Sequence, residues 1–241
     1  MTDLTSLVVT HRDADVLAQA VAARAITAIT DAQAARGSAS IVLTGGGIGG
    51  ATLRAVAASA LRDTVDWGRL DVWWGDERFL PAGHPERNET QARDALLDHV
   101  PVDPVRVHPM AASDGPAGAD LEAAAGRYVD ALAAAGDPAF DVLLLGVGPD
   151  GHVASLFPGL PGLADERPAL PVRNSPKPPP ERISLGLSAI NRAREVWLVA
   201  AGEEKAAAVA SALNGGSEPA ARVAGKEATR WLLDQAAAAA L

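Results

Sequence analysis

The sequence predicts one α/β domain over residues 1–241, built on a single doubly wound, mostly parallel sheet with helices on both faces, as in Rossmann-like folds. Runs of strand length alternate along the chain with helical patterns. Each strand-like run is apolar throughout, which is typical of a parallel sheet that is covered on both sides. Glycine-rich or charged turns directly follow several of these runs, as expected where parallel strands end.

The composition describes a globular chain whose core needs no covalent or metal support. Of its 241 residues, 48% are apolar, and a domain of this size buries roughly 70–75% of the surface of its unfolded chain. The chain has no cysteine, which excludes cysteine-ligated metal centres, thiol nucleophiles and disulfides. Its net charge of −9 argues against nucleic-acid or anionic-membrane partners. An anionic ligand would therefore need a local cluster of cations.

The expected location of the protein is the cytoplasm. The sequence starts Met-Thr-Asp-Leu-Thr-Ser, without the basic start and apolar stretch of a secretory leader. No apolar run approaches the roughly 18 residues that a membrane-spanning helix needs.

The first half of the chain reads as an initial helix followed by strand-turn-helix units. Apolar residues at helical spacing predict a helix over 13–36, with Asp13 as its N-cap and Gly37 as its terminator. A strand over 41–44 is predicted next, followed by a glycine turn and a helix through Leu61. A strand over 70–74 leads into the charged turn Asp76-Glu77-Arg78, and a helix starts at Asn88, which has capping-box spacing to Gln91. A short strand over 105–107 and an alanine-rich helix over 118–135 follow.

The second half contains the most strand-like run of the chain, residues 140–145. Strands are also predicted over 182–187 and 195–200, the latter leading through a turn with Lys205 into a helix, and residues 224–240 are predicted to close the chain as a helix. Eight of the 17 prolines fall in 158–180, so residues 158–181 are expected to form an irregular, rigid loop or a lid.

Four of the predicted turns are expected to meet at one edge of the sheet, because ligands of open parallel sheets bind beyond the carboxyl ends of the strands. The first is the glycine turn 45–50, whose bare backbone N–H groups could cradle a phosphate. The same turn satisfies the glycine pattern of dinucleotide sites, with Asp76 available for a ribose. A nicotinamide-dependent oxidoreductase therefore stays open, as does a purely structural turn.

The second turn, Asp76-Glu77-Arg78, places acidic and basic side chains next to each other. Arg78 could hold a phosphate through a forked contact, while a carboxylate such as Asp76 could bind sugar hydroxyls or hold the arginine. An exposed salt bridge or a helix cap is the alternative interpretation. Lys205, in the first turn of a helix, and Arg182, after a proline cluster, are further candidate cations, although either could be solvated.

The turn 146–152 is the most specific functional signal in the sequence. Three glycines and a proline present Asp150 and His152 at the end of a buried strand. An imidazole titrates near neutrality and can take a proton from water, and the carboxylate can orient it. No metal site is predicted, because the histidines show no metal-ligand spacing. Ser155 does not lie in the Gly-x-Ser-x-Gly pattern of a serine hydrolase.

These residues resemble those of the 6-phosphogluconolactonases, within the glucosamine-6-phosphate isomerase/deaminase-like superfamily, over nearly the whole chain. The segments that carry the resemblance are Leu43–Gly47, Trp74–Arg78, Gly146–Gly159, Arg182–Leu185 and Gly202–Lys205. The third segment is highly specific, and the order of all five strengthens the match.

The resemblance implies hydrolysis of 6-phospho-D-glucono-1,5-lactone to 6-phosphogluconate without a metal or any other cofactor. It implies that His152 activates water, with Asp150 beside it. The substrate-binding residues that it implies are Gly46, Gly47, Asp76, Arg78, Gly151, Arg182 and Lys205. The only partner implied is a small phosphorylated sugar lactone, and the sequence does not decide between monomer and dimer.

Two departures from the superfamily pattern matter. The deaminases of this superfamily carry a glutamate five positions after the motif histidine, where this chain has Phe157, so deamination is disfavoured. The usual Gly-Gly-Ser-Thr-like turn is replaced by residues 46–49, Gly-Gly-Ile-Gly, which removes side-chain hydroxyls from that turn. A sugar-phosphate isomerase or deaminase on the same fold, and a sensor without catalytic activity, remain alternatives.

Overall fold

The computed structural model describes residues 6–241. Residues 1–5, on which most of the expectation about an N-terminal leader rests, lie outside the described residues. The strands are β1 (Leu7–His11), β2 (Ala39–Leu43), β3 (Leu70–Trp74), β4 (Asp76–Arg78), β5 (Val142–Gly146), β6 (Ala169–Val172), β7 (Arg182–Leu185), β8 (Glu195–Ala200) and β9 (Ala228–Asp234). The helices are α1 (Ala14–Arg36), α2 (Gly46–Ala58), α3 (Asn88–Ala95), α4 (Leu121–Ala134), α5 (Leu187–Ile190) and α6 (Ala206–Leu213), with several short 3₁₀ turns between them.

A parallel sheet of six strands, in the order β1-β9-β8-β5-β2-β3, forms the centre of the fold. Helices α1, α2 and α3 bury their apolar residues on one face, and helices α4, α5 and α6 do so on the other. The structure confirms the predicted α/β class and the mostly parallel sheet. Because the strands are parallel, the turns after β2, β5 and β8 all open on one edge.

The first helix shows how well local signals specify an element. The Asp13 carboxylate accepts a hydrogen bond from Val16 N at 2.8 Å, and Gly37 ends the helix with φ of 80°. This positive φ suits glycine because it has no Cβ to clash. Helix α2 starts at Gly46, so the predicted glycine turn is in fact the first turn of that helix. Among residues 6–241, no helix combines the length and apolar character needed to cross a bilayer.

A second, antiparallel sheet of order β4-β7-β6 packs against the face that holds α4. Two predictions were wrong here. Residues 76–78, expected to be a turn, form β4 and pair with β7. The segment 158–180, expected to be irregular throughout, contains β6, where Pro171 lies in an edge strand that tolerates the missing N–H.

Other predicted elements also differ from the structure. The expected helix over 224–240 is wrong, because residues 228–234 form β9 between β1 and β8, and this pairing overrides the helical preference of the alanines that follow. The strand β1 was not predicted, since its residues Leu7 and Val8 lie exposed at the sheet edge. The expected strand over 105–107 is largely a 3₁₀ turn that makes one bridge, from Val107 to Val72.

Candidate active site

A cavity of about 440 Å³ opens at the carboxyl edge of the large sheet, where the small sheet adjoins it. The ends of β2, β5 and β8 and the strand β4 each contribute to its wall. Ten polar or charged residues line it: Asp15, Thr44, Asp76, Arg78, Asn88, His152, Lys177, Arg182, Glu204 and Lys205. Gly46 and Gly47 line it as well. The four segments that the sequence predicts as turns therefore meet around one cavity, although residues 76–78 form a strand.

The turn after β5 holds His152 against Asp150. The His152 Nδ1 atom hydrogen-bonds the Asp150 carboxylate, and the backbone N–H of His152 donates to the same carboxylate at 3.3 Å. With Nδ1–H donating to Asp150, Nε2 is left as the basic nitrogen. The His152 ring also packs against Phe157, with 4.5 Å between ring centroids. Asp150 does not line the cavity, so its contact with substrate would have to pass through His152.

Two glycines shape this turn. A methyl group on Gly148 would overlap the His152 ring and lie 2.6 Å from Asp150 Oδ1, so glycine is required for the His152–Asp150 contact. Gly151 has φ of 76° and accepts a hydrogen bond from Ala220 N at 3.0 Å. It does not line the cavity, so the structure does not bring this predicted substrate-binding residue to the site. Its role lies in the shape of the turn.

The charge state of His152 reflects three neighbours and its burial. Burial lowers the pKa of His152 below its usual value, and the Lys177 ammonium lowers it further, whereas Asp150 and Asp76 raise it. Burial tends to raise the pKa of Asp150, but the contact with His152 outweighs it and leaves the pKa of Asp150 lowered. The imidazole is therefore neutral near pH 7, which is the state that a general base needs.

Asp76 lies almost fully buried on β4. Its Oδ2 accepts a hydrogen bond from Ser155 Oγ at 2.6 Å, and its Oδ1 accepts one from Asn88 Nδ2 at 3.2 Å. The Arg182 guanidinium stands 3.7 Å away. Because Asn88 Nδ2 also donates to the Asp76 backbone carbonyl at 2.8 Å, the carboxylate is fixed in orientation at the cavity wall. The Asn88 side chain thus points to Asp76, and it does not form the predicted capping box.

The start of helix α3 is capped by a different side chain. Glu77 accepts hydrogen bonds from the backbone N–H groups of Arg78, Asn88 and Glu89 at 2.6–2.8 Å. Burial raises the pKa of Glu77 to about 7, and Arg87, at 3.7 Å, opposes this rise. Glu77 therefore ties β4 to α3 and holds Arg78 in place.

Arg78 and Arg182 stand directly opposite each other in the antiparallel pair of β4 and β7. The Arg78 Nη1 atom donates to the Glu86 carbonyl at 2.6 Å. Arg182 is nearly buried and donates to three backbone carbonyls of the proline-rich segment, those of Lys177, Pro178 and Pro179, at 3.0–3.2 Å. Burial lowers the pKa of Arg182, and Arg78 lowers it further, while Asp76 opposes both. Much of the Arg182 donor capacity is thus used within the protein.

Lys205 follows β8 in a turn that Asp234 positions. Both carboxylate oxygens of Asp234 accept from Gly202 N at 3.1 Å, and Gly202 has φ of 102°. The Lys205 Nζ atom lies 3.4 Å from Glu204 and on the cavity wall. Across the cavity, Gly46 and Gly47 form the uncapped first turn of α2, whose N–H groups favour an anion.

Sequence reasoning missed at least three polar residues of the wall, namely Asp15, Asn88 and Lys177. Lys177 lies within the proline cluster, whose density is the one sequence signal that marks a rigid loop there. Asn88 was interpreted as a helix cap because nothing in the sequence reveals the approach of α3 to β4. Within residues 6–241, no three histidine or carboxylate side chains gather as metal ligands would.

Comparison with known proteins identifies relatives over the whole chain. The family model described as glucosamine-6-phosphate isomerases/6-phosphogluconolactonase matches residues 12–231. A 6-phosphogluconolactonase of Streptomyces coelicolor is 62% identical, with 100% of this chain and 96% of the relative covered. A 6-phosphogluconolactonase of Mycobacterium tuberculosis is 52% identical, with 95% of this chain and 96% of the relative covered.

Solved structures give the same result. The 6-phosphogluconolactonase of Trypanosoma brucei superimposes with a TM-score of 0.85 at 28% identity, covering 99% of this chain and 100% of that one. A monomeric glucosamine-6-phosphate deaminase superimposes with a TM-score of 0.81 at 21% identity, covering 98% of this chain and 100% of that one, and shows the shared fold alone. The chain belongs to the glucosamine-6-phosphate isomerases/6-phosphogluconolactonase family.

Proposed function

We propose that this protein is a carboxylic ester hydrolase that converts 6-phospho-D-glucono-1,5-lactone to 6-phospho-D-gluconate in the oxidative pentose phosphate pathway. The observation that carries the proposal is His152, held by Asp150, on the wall of a cavity that four cations also line. The relatives at 62% and 52% identity are named for this activity. The proposed setting is the cytoplasm, where phosphorylated sugars are made and used.

In the proposed reaction, His152 Nε2 takes a proton from water as the water oxygen attacks C1 of the lactone. The carbonyl electron pair moves onto the carbonyl oxygen to give a tetrahedral oxyanion. When the carbonyl re-forms, the bond from C1 to the ring oxygen breaks, and the ring oxygen receives the proton from His152. Asp150 keeps the imidazole in the required tautomer, and a positioned base of this kind contributes about 10²–10⁴-fold to the rate. No step requires a metal or cofactor.

The substrate phosphate has a suitable site among the cations of the cavity wall. Arg78, Lys205 and the free N–H groups at Gly46 and Gly47 are proposed to bind it. Arg78 and Arg182, opposite each other, repel one another, and a bound dianion would relieve this repulsion. A phosphate held away from the reacting carbonyl orients the lactone, so binding energy is used to raise the rate.

The deaminase alternative is disfavoured by the residue beside the imidazole. Phe157, at the position where the superfamily deaminases carry glutamate, is 2% exposed and packs on the His152 ring, so no carboxylate supports ring opening there. The oxidoreductase alternative assigned Asp76 to a ribose, but this carboxylate is held by Ser155, Asn88 and Arg182. The relatives at 62% and 52% identity, which are named as lactonases, favour neither alternative.

The test of the proposal is a coupled assay on freshly generated 6-phosphogluconolactone, with and without a metal chelator. We expect hydrolysis that the chelator leaves unchanged, and loss of most of the rate in a folded His152→Ala variant. No hydrolysis by the wild-type protein would reject the function, and full activity of His152→Ala would reject the base.

A further inference from the structure

Lys177 is a cation of the cavity wall whose ammonium group has no partner among residues 6–241. The three other cations of the wall each have one: Arg78 donates to Glu86, Arg182 to three carbonyls, and Lys205 lies 3.4 Å from Glu204. The Lys177 side chain makes neither a hydrogen bond nor an ion pair there. It is therefore available to a ligand without breaking any contact.

The backbone around Lys177 is held rigidly over the cavity. Ser175 Oγ donates to the Lys177 carbonyl at 2.9 Å and accepts from Lys177 N at 3.3 Å. Arg182 Nη2 donates to the same carbonyl at 3.0 Å, and Ser175 N donates to Pro180 O at 3.0 Å. Prolines precede and follow Lys177 in the chain and limit its backbone further. These hydrogen bonds and prolines fix the backbone of Lys177, so less conformational entropy is lost when its side chain binds a ligand.

Lys177 lines the same cavity as His152, Arg182 and Lys205. Of all the cations, it exerts the largest lowering effect on the pKa of His152. Its own pKa is lowered by burial, then by Lys205 and Arg182, and is raised by Asp150. Since Arg78 and Lys205 are assigned to the phosphate and Arg182 donates to backbone carbonyls, Lys177 is the cation of this wall that is left for the reacting carbonyl.

The reaction needs a positive group beside the carbonyl of the lactone. Attack of water on C1 puts a negative charge on the carbonyl oxygen next to His152, and fixed donors at a developing oxyanion are among the largest contributions to catalysis. Resting on the hydrolysis proposed above, we propose that the Lys177 ammonium stabilises this oxyanion. Lys177 keeps all its protons through the reaction, and the proton of the water passes only to His152 and then to the ring oxygen.

Three variants of the full-length protein test the assignment. Lys177→Met removes the charge and keeps a side chain of similar length, Lys177→Arg keeps the charge, and Lys226→Met removes a charge from an exposed lysine outside the cavity. Each is assayed for kcat and KM on 6-phosphogluconolactone and on unphosphorylated gluconolactone. Circular dichroism and thermal unfolding establish that the variants are folded.

We expect Lys177→Met to lower kcat by about 10²-fold on both lactones with little change in KM, as found when one oxyanion donor is removed. The acid limb of its rate profile should also move to higher pH, because the charge that lowers the His152 pKa is gone while Asp150 and Asp76 remain. Lys177→Arg should recover part of the rate, and Lys226→Met should match the wild type.

Two results would overturn the assignment. A loss confined to the phosphorylated lactone, with raised KM, would make Lys177 a phosphate ligand. Unchanged kcat in Lys177→Met would remove it from the reaction altogether. A wild-type protein that hydrolyses neither lactone would instead refute the proposed function, so the two failures are distinguishable.

Discussion

Replacing Gly148 by alanine would separate the geometry of the His152–Asp150 pair from its chemistry, because it leaves both side chains present. The φ angle of Gly148 lies outside the left-handed region, so alanine fits the backbone there. Its methyl group, however, would lie 2.6 Å from Asp150 Oδ1 and would overlap the imidazole. Ordinary contacts between such atoms lie near about 3.5 Å, so the ring must move by about 1 Å or more.

The expected effect on activity is much larger than the effect on stability. A misplacement of about 1 Å costs about 10²-fold in rate, and complete loss of the base costs about 10²–10⁴-fold. We therefore expect kcat of Gly148→Ala to fall by at least about 10²-fold. Asp150 is 42% exposed and can swing outward, so overpacking should cost less than the about 1–3 kcal/mol seen in closed cores. Alanine also leaves the unfolded chain with less conformational freedom than glycine does, which offsets about 0.4–1 kcal/mol of that cost.

The assay measures kcat on 6-phosphogluconolactone together with urea unfolding. Gly126→Ala in α4 is the matched control, since nothing lies within 4 Å of its added methyl group. It should stabilise the protein by about 0.5–1 kcal/mol and leave kcat unchanged. Wild-type kcat in Gly148→Ala, or a structure of that variant with the imidazole unmoved, would refute the steric argument.

Three further predictions concern charge. Asp150→Asn should move the acid limb of the rate profile to lower pH, because Asp150 raises the pKa of His152 against burial and the Lys177 charge; a shift to higher pH would contradict this. Arg182→Met should lower the free energy of urea unfolding by about 3 kcal/mol, since it leaves Asp76 without its buried cation, and a change below about 0.5 kcal/mol would contradict the pairing. Arg78→Ala should reduce the ratio of kcat/KM for the phosphorylated lactone to kcat/KM for the unphosphorylated lactone by about tenfold or more. The reason is that a hydrogen bond to a charged group contributes about 1.5–3 kcal/mol, and equal losses on both substrates would contradict this role.

Sequence reasoning succeeds where the physical cause is local. Asp13 and Gly37 bound α1 because capping and a positive φ depend on neighbouring residues alone. The buried run that became β5 is recognisable because a central parallel strand is apolar on both faces. The edge at which the turns meet follows from parallel strand direction, which the alternation of strands and helices already implies.

The same reasoning fails where a segment is defined by a distant partner. Residues 76–78 become a strand only because β7, about a hundred residues later, pairs with them. That pairing also determines the position of Arg182. The sequence predicts it as a phosphate ligand, whereas in the structure it donates hydrogen bonds to three backbone carbonyls. No property of the proline cluster alone reveals that Lys177 would line the same cavity as His152. Contacts between residues far apart in the sequence depend on the topology of the fold, and neither the periodicity of apolar residues nor the spacing of motifs predicts them.

The site illustrates how an acidic chain can still bind an anion. The net charge of −9 would repel a phosphorylated sugar at long range, and screening limits that repulsion to about 8–10 Å at physiological salt. Within that distance the pairing of β4 with β7 sets Arg78 against Arg182, and the turn before α6 and the proline-rich segment add two lysines. Mutual repulsion of these cations opposes folding, so Asp76 and Glu77 are buried beside them as compensation. A bound dianion would relieve the remaining excess, which makes the cation cluster a ligand site more than a source of stability.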